Sequence, residues 1–151
     1  MGSSPTYLDP IVIARIVGET VLDVGCGLGR WGSLIQSNFW ETGSVKPPQV
    51  DGFDAFLPNV EFCAKKNCYR TVWHQVMPSS LKGKWDTVLA CEVLEHIEQE
   101  RVQEVIRILE GVTNKRIIFS TPNWPYYRDG HETVLGFNNR EAHRSYVSRD
   151  F

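Results

Sequence analysis

The chain has 151 residues, with 42% hydrophobic and 23% charged side chains and a formal net charge of −2. That length suffices for a single domain spanning residues 1–151 with a core of its own, and the near-neutral charge gives no global pull toward nucleic acid or anionic membranes. No apolar run approaches the ~20 residues that span a bilayer, and no basic stretch leads into an apolar N-terminal segment of the signal-peptide kind.

Met1-Gly2-Ser3-Ser4 opens a leader, residues 1–7, expected to be disordered. The four cysteines, Cys26, Cys63, Cys68 and Cys91, have no zinc-ribbon or zinc-finger spacing. They read as free, buried thiols in a reducing compartment, so a cytoplasmic protein is expected.

Leu8 to Val17 reads as a short helix, with Asp9 as its N-cap and Pro10 at its first position. Thr20 to Val24 is a first strand. A glycine-rich turn follows, and Trp31 to Asn38 continues from it as a helix. Glu41 to Gln49 carries Gly43, Pro47 and Pro48 and reads as a loop. Val50 to Asp54 is a second strand, Pro58 to Lys66 a helix, and Tyr69 to Val76 a third strand rich in β-branched and aromatic residues. Trp85 to Cys91 is a fourth strand. Glu98 to Leu109 is an amphipathic helix, with Val102, Val105, Ile106 and Leu109 at helical spacing and Gly111 placed to stop it. Arg116 to Ser120 is a fifth strand. Trp124 to Phe151 is polar and aromatic and reads mostly as loop, with a helix starting near Ser148.

Strands alternating with helices predict right-handed βαβ units. The expected fold class is α/β, a Rossmann-like doubly wound, mainly parallel sheet with helices on both faces. Ligands of such sheets bind outside the carboxyl ends of the strands. Asp23, Asp54, Cys91-Glu92 and Thr121 all fall at those ends.

The strongest signal is Asp23-Val24-Gly25-Cys26-Gly27-Leu28-Gly29-Arg30. A strand that ends at an acid and turns through glycines lets backbone N–H groups approach a cofactor closely. A nicotinamide fingerprint requires G-x-G-x-x-G, and Arg30 occupies its third glycine position. The pattern acid-x-Gly-x-Gly-x-Gly resembles the first motif of class I S-adenosylmethionine (SAM)-dependent methyltransferases. The resemblance implies SAM as cofactor. It places the backbone of Gly25, Cys26, Gly27 and Gly29 under the methionine part, with Asp23 orienting its ammonium. It gives Asp54 the ribose hydroxyls, which suits a carboxylate with two acceptor oxygens; Asp51 is the rival. Ala55 and Phe56 would flank the adenine, Cys91 would border the cofactor at the end of the fourth strand, and Gln75 or the backbone at Val76 would take the adenine amino group. The family often has an acid at that last place, and this chain does not.

Asp86 to Cys91 followed by Glu92-Val93-Leu94-Glu95-His96 resembles the family's fourth motif. If the segment opens a helix, Glu92, Glu95 and His96 share one face. His96 is the first choice for general base, because imidazole titrates near neutrality, with Glu92 and Glu95 as alternatives. The same three residues form a divalent-metal alternative. That alternative resembles the E-x-x-E-H element of small-RNA 3′-end 2′-O-methyltransferases, with His143 completing the set. The leading expectation is methyl transfer to a small-molecule acceptor without a metal. A metal-dependent RNA methyltransferase and a non-catalytic SAM-binding or partner subunit are the alternatives. Arg140, Arg144 and Arg149 read as a small basic face or as ordinary surface.

The family fold carries two further strands after the fifth, and they are expected to be absent from this sequence. Residues 122–151 then form an acceptor-side segment of a domain incomplete at its C-terminus. The exposed fifth-strand edge would be covered by that segment, by a second copy in a homodimer, or by a partner chain.

Overall fold

The computed structural model describes residues 4–41, 46–122, 129, 131–133, 136–138 and 142–145. A 3-10 turn, Thr6–Leu8, leads into helix α1, Asp9–Ile13. Strand β1 is Thr20–Val24, helix α2 Arg30–Glu41, strand β2 Gln49–Asp54 and helix α3 Leu57–Ala64. Strand β3 is Thr71–His74 and strand β4 Trp85–Cys91. Two 3-10 turns, Leu94–His96 and Gln99–Arg101, precede helix α4, Val102–Val112, and strand β5, Thr113–Ser120. Strands β6, His131–Thr133, and β7, Gly136–Asn138, pair antiparallel with each other.

The main sheet has five strands in the order β3-β2-β1-β4-β5, and every pairing in it is parallel. The strand order reverses between β1 and β4, which opens a crevice at the carboxyl ends. β1 is buried on both sides, as a central parallel strand must be. Its alternation divides the core in two. Leu22 and Val24, with Val88 and Ala90 of β4, pack under Val105, Leu109 and Val112 of α4. Val21 and Leu89 face the other way, onto Val12 of α1 and Trp31 and Ile35 of α2. The expected α/β Rossmann-like parallel sheet with helices on both faces is therefore what the chain forms.

Several expected boundaries shift for local reasons. α1 ends at Ile13, short of Val17, and Asp9 is its first residue rather than its cap; the Asp9 carboxylate instead pairs with Arg30. Gly111 does not stop α4, which runs through it to Val112. The stop is Thr113, whose extended backbone starts β5 while its hydroxyl donates to the Leu109 carbonyl at 2.6 Å. β3 ends at His74, so Gln75 and Val76 lie in the loop beyond it. The segment read as loop after Trp124 contains the β6–β7 hairpin, whereas the helix expected near Ser148 lies outside the described residues. β3 and β5 are the outer strands of the main sheet. All four cysteines are buried thiols. No helix among the described residues is long and apolar enough to cross a membrane.

Candidate active site

The turn leaving β1 takes Gly25, Gly27 and Gly29 through φ of +66°, +52° and +76°, a region that side chains other than glycine enter at a cost. Gly25 has a second constraint, since a Cβ there would sit 2.8 Å from a Val93 methyl. The turn is tied to the end of β2 by two bonds. Cys26 N–H donates to the Phe53 carbonyl at 3.0 Å, and Gly27 N–H donates to Asp54 Oδ2 at 2.8 Å. Asp54 Oδ1 accepts from Phe56 N–H at 2.8 Å and from the Asn59 amide at 3.2 Å. Asp51 faces elsewhere. It accepts from the Trp85 indole at 2.8 Å and pairs with Arg70, deep against β4. The pleat thus turns Asp54 to the crevice, where it lines the cavity, and turns Asp51 to Trp85 and Arg70.

Asp23 lies beneath the turn with 0% exposure. The Tyr69 hydroxyl donates to its Oδ2 at 2.7 Å, while Oδ1 is buried with no partner. Burial, opposed by the Tyr69 bond, pushes its carboxyl up to about 7, and the charge of Asp54 adds to the rise. Tyr69 was not singled out in the sequence, yet its ring supports the whole turn. A Cβ on Gly32 would come within 2.6 Å of it, and one on Gly52 within 3.0 Å. The available signal was the pair of glycines inside a helix and a strand, where glycine weakens the element unless something approaches closely.

The segment after β4 does not open the α-helix expected of it. Glu92 has φ of +57°, the only positive value at a non-glycine among the described residues. Its N–H donates to the Ser120 carbonyl at 2.8 Å, and the Ser120 hydroxyl donates back to Glu92 Oε1 at 2.9 Å. A left-handed glutamate is strained by about 1–2 kcal/mol, and these bonds from β5 hold it. Leu94–His96 then forms a 3-10 turn, so Glu92, Glu95 and His96 share no helical face. Glu95 points inward and is 2% exposed, with Thr121 Oγ1 donating to it at 3.4 Å. Burial raises its carboxyl to about 8, helped by the neighbouring Glu92 charge.

His96 Nδ1 lies 3.1 Å from the Ala142 carbonyl. A carbonyl only accepts, so Nδ1 carries the proton and Nε2 is the basic nitrogen. The His96 and His143 rings meet edge to face at 5.0 Å between centroids. Residues 142–145 form a strap over this turn. Arg144 and Ser145 N–H both donate to the Glu95 carbonyl, at 2.7 and 3.1 Å, and Ser145 Oγ donates to the Leu94 carbonyl at 2.6 Å.

One cavity of about 360 Å³ joins the two halves. Of the residues predicted for the site, Gly25, Gly27, Asp54, Ala55, Phe56, Gln75, Val76, Glu92 and His96 line it. Asp23, Cys26, Gly29, Cys91 and Glu95 are not among its lining residues. Asn59, Met77, Val93, Ile97, Arg101 and Arg144 line it without having been assigned to it from the sequence. Gln75 uses its backbone N–H on the Asp54 carbonyl at 2.9 Å and its side-chain oxygen on the Trp73 indole at 2.5 Å. Glu95, His96 and His143 offer ligand atoms all within 4.8 Å of one another. Glu92 is not part of that group, so the four-residue metal set reduces to three.

These features fit an elongated polar ligand. Asp54 presents an ordered carboxylate at the carboxyl end of β2, glycine backbone borders the centre of the cleft, and a buried carboxylate oxygen lies below it. A family model described as a methyltransferase domain matches residues 8–151. The chain belongs to the methyltransferase domain family. The resemblance drawn from the glycine turn is thereby borne out. The ubiquinone biosynthesis O-methyltransferase of Paracidovorax citrulli (strain AAC00-1) is 29% identical over 145 residues, 87% of this chain and 57% of that protein. The magnesium protoporphyrin IX methyltransferase of Synechocystis PCC 6803, solved with bound S-adenosylhomocysteine (SAH), matches with a TM-score of 0.59 and 24% identity over 75% of this chain and 53% of that one. A structure described as a DhpI-SAM-HEP complex matches with a TM-score of 0.64 and 13% identity, covering 94% of this chain and 71% of that one. The methyltransferase domain described here therefore spans little more than half the length of the first two relatives.

Proposed function

We propose that this methyltransferase domain binds SAM along the cleft and transfers its methyl group to a small-molecule acceptor at the His96 end. The observation that carries the reading is the Asp54 clamp. A carboxylate fixed by Gly27, Phe56 and Asn59 ends the cleft at one side, and the Glu92–His96 turn ends it at the other. The relatives named above support SAM as the donor and small molecules as the acceptor class.

In this reading Asp54 receives the ribose hydroxyls. Gly25 and Gly27 border the methionine portion, and Asp23, from beneath, favours its ammonium electrostatically. Ala55, Phe56 and Val76 flank the adenine. When bound, SAM supplies a methyl group already activated by the sulfonium charge. The protein then has to align the acceptor and remove a proton from it. His96 does the second, with Nδ1–H held by the Ala142 carbonyl so that Nε2 accepts the proton. Glu92, fixed by Ser120, orients the acceptor. Asp23, Cys26, Gly29, Cys91 and Glu95 act through the residues that line the cleft.

A second reading, transfer assisted by a divalent cation, is favoured by the Glu95, His96 and His143 cluster. Two imidazoles and a carboxylate suit a transition metal. Calorimetric titration with SAH, with and without Mn²⁺, tests both. Micromolar SAH binding is expected, and absence of binding sinks the methyl-transfer reading. A Mn²⁺ signal lost in His143→Ala would select the metal-assisted form; no signal would leave His96 as the base.

A further inference from the structure

The acceptor half of the cleft has an apolar floor and a charged rim. Val93 and Ile97 supply the floor, and Glu98, Arg101 and Arg144 the rim. Each guanidinium on the rim is paired through a single nitrogen. Arg144 Nη1 donates to Glu98 Oε1 at 2.6 Å, and Arg101 Nε to Glu104 Oε2 at 3.2 Å. Glu104 is not among the cleft-lining residues, so two guanidiniums face one carboxylate there. Each pairing uses one nitrogen of a group with five N–H donors in a fixed fork, the geometry that matches an oxyanion. Deeper in, the Glu92 carboxylate accepts from the Ser120 hydroxyl, and Glu95 is buried. The rim of the acceptor half thus carries two guanidiniums in a chain whose net charge is −2.

The backbone of Arg144 is also anchored beside the site. Its backbone N–H donates to the Glu95 carbonyl at 2.7 Å, one residue before His96, and the Ala142 carbonyl two residues before it orients the His96 ring. One short strap therefore sets both the cationic rim and the basic nitrogen. An oxyanion on Arg144 is thus held by the same strap that orients the His96 ring.

On the methyl-transfer reading, we infer that the acceptor is a small molecule with an apolar body and an oxyanionic group. Arg101 and Arg144 take the oxyanion and Val93 and Ile97 the body, which turns the opposite end toward His96. Glu98 occupies Arg144 until the oxyanion displaces it.

The test uses protein saturated with SAH and four probes that share one ring: benzoate, phenyl phosphate, benzyl alcohol and benzylammonium. Affinities are read by ligand-observed NMR. The oxyanionic probes are expected to bind at least about tenfold more tightly than the alcohol, and benzylammonium no better than the alcohol. Benzoate against phenyl phosphate tells a carboxylate acceptor from a phosphate one. Arg144→Gln, which keeps the backbone bond, and Arg101→Gln should each weaken the better oxyanionic probe about tenfold, while Glu98→Gln should tighten it. Equal binding of benzoate, phenyl phosphate and benzyl alcohol overturns the inference, and so does a preference for benzylammonium. The SAH titration of the same sample separates the two levels. Failure to bind SAH removes the methyl-transfer reading and this inference with it, whereas SAH binding with charge-blind probes removes only the inference.

Discussion

The Tyr69 hydroxyl donates to Asp23 Oδ2 at 2.7 Å directly beneath the glycine turn, and Asp23 Oδ1 has no partner at all. One bond therefore serves only half of a fully buried carboxyl, and the same ring fills the space left by Gly32 and Gly52. Tyr69→Phe keeps the ring and removes the bond. It should cost about 1–3 kcal/mol, the penalty of leaving a buried acceptor unsatisfied, read as a lower urea midpoint at unchanged slope. SAH affinity should fall with it, because the turn rests on this pair. A variant as stable as the parent would mean that Oδ2 finds another donor.

The same burial gives stability a pH dependence of definite sign. Asp23 is raised from 3.8 to about 7 and Glu95 from 4.5 to about 8. The folded chain thus holds two protons that the unfolded chain has already released, so stability falls as pH rises between the two values. The contribution is fully present below about pH 4 and is lost through pH 7 to 8. Asp86 is shifted the other way, down, by the Glu19 N–H and Lys115, and its window lies below pH 4. Urea midpoints of the SAH-free protein should therefore drop from pH 5 to pH 8. Asp23→Asn should flatten that drop, and so should saturating SAH if its ammonium favours ionised Asp23. A midpoint rising across this range would contradict the assignment.

Asp54 and Asp51, three residues apart on β2, should separate binding from folding. Asp54→Ala releases Gly27, Phe56 and Asn59 together. It should weaken SAH by more than about tenfold, because a charged acceptor is worth roughly 1.5–3 kcal/mol. Asp51→Ala strands the buried Trp85 N–H and exposed Arg70. It should lower thermal stability with SAH affinity nearly unchanged. The opposite pattern would move the ribose role to Asp51.

What the sequence reveals here is what depends on near neighbours. Apolar runs locate β1 and β4 to the residue, since both are buried on two sides and need no partner to be recognised. The acid-and-glycine spacing of Asp23 to Gly29 locates the turn for the same local reason. Glu92–His96 is misread because its backbone is decided from outside. Ser120, 28 residues away, holds Glu92 in the left-handed region, and helical spacing has no knowledge of that bond. Gly111 is misread as a stop because the hydroxyl of Thr113 ends α4 instead. Tyr69 reaches Asp23 across 46 positions, and Arg144 joins the cleft only through the strap. Long-range bonds of this kind complete the site and leave no periodic trace.

The strap makes His96 separable from the cofactor half. Its Nδ1–H is held by the Ala142 carbonyl at 3.1 Å, while Asp54 is held by Gly27, Phe56 and Asn59. His96→Ala should leave SAH affinity within about twofold and lower turnover by roughly 10²–10⁴, the usual worth of a general base, once an acceptor is in hand. His96→Gln keeps a polar group of similar reach but cannot take a proton at neutral pH. It should preserve stability without restoring turnover, and the residual rate should rise with pH as the acceptor ionises unaided. Ser145→Ala removes the hydroxyl bond to the Leu94 carbonyl but leaves His96 chemically intact. It should weaken acceptor binding and stability by about 1 kcal/mol while the pH profile of the chemical step keeps its parent shape. If His96→Ala loses SAH binding as well as turnover, the imidazole is a support for the cleft and the base must be sought at Glu92.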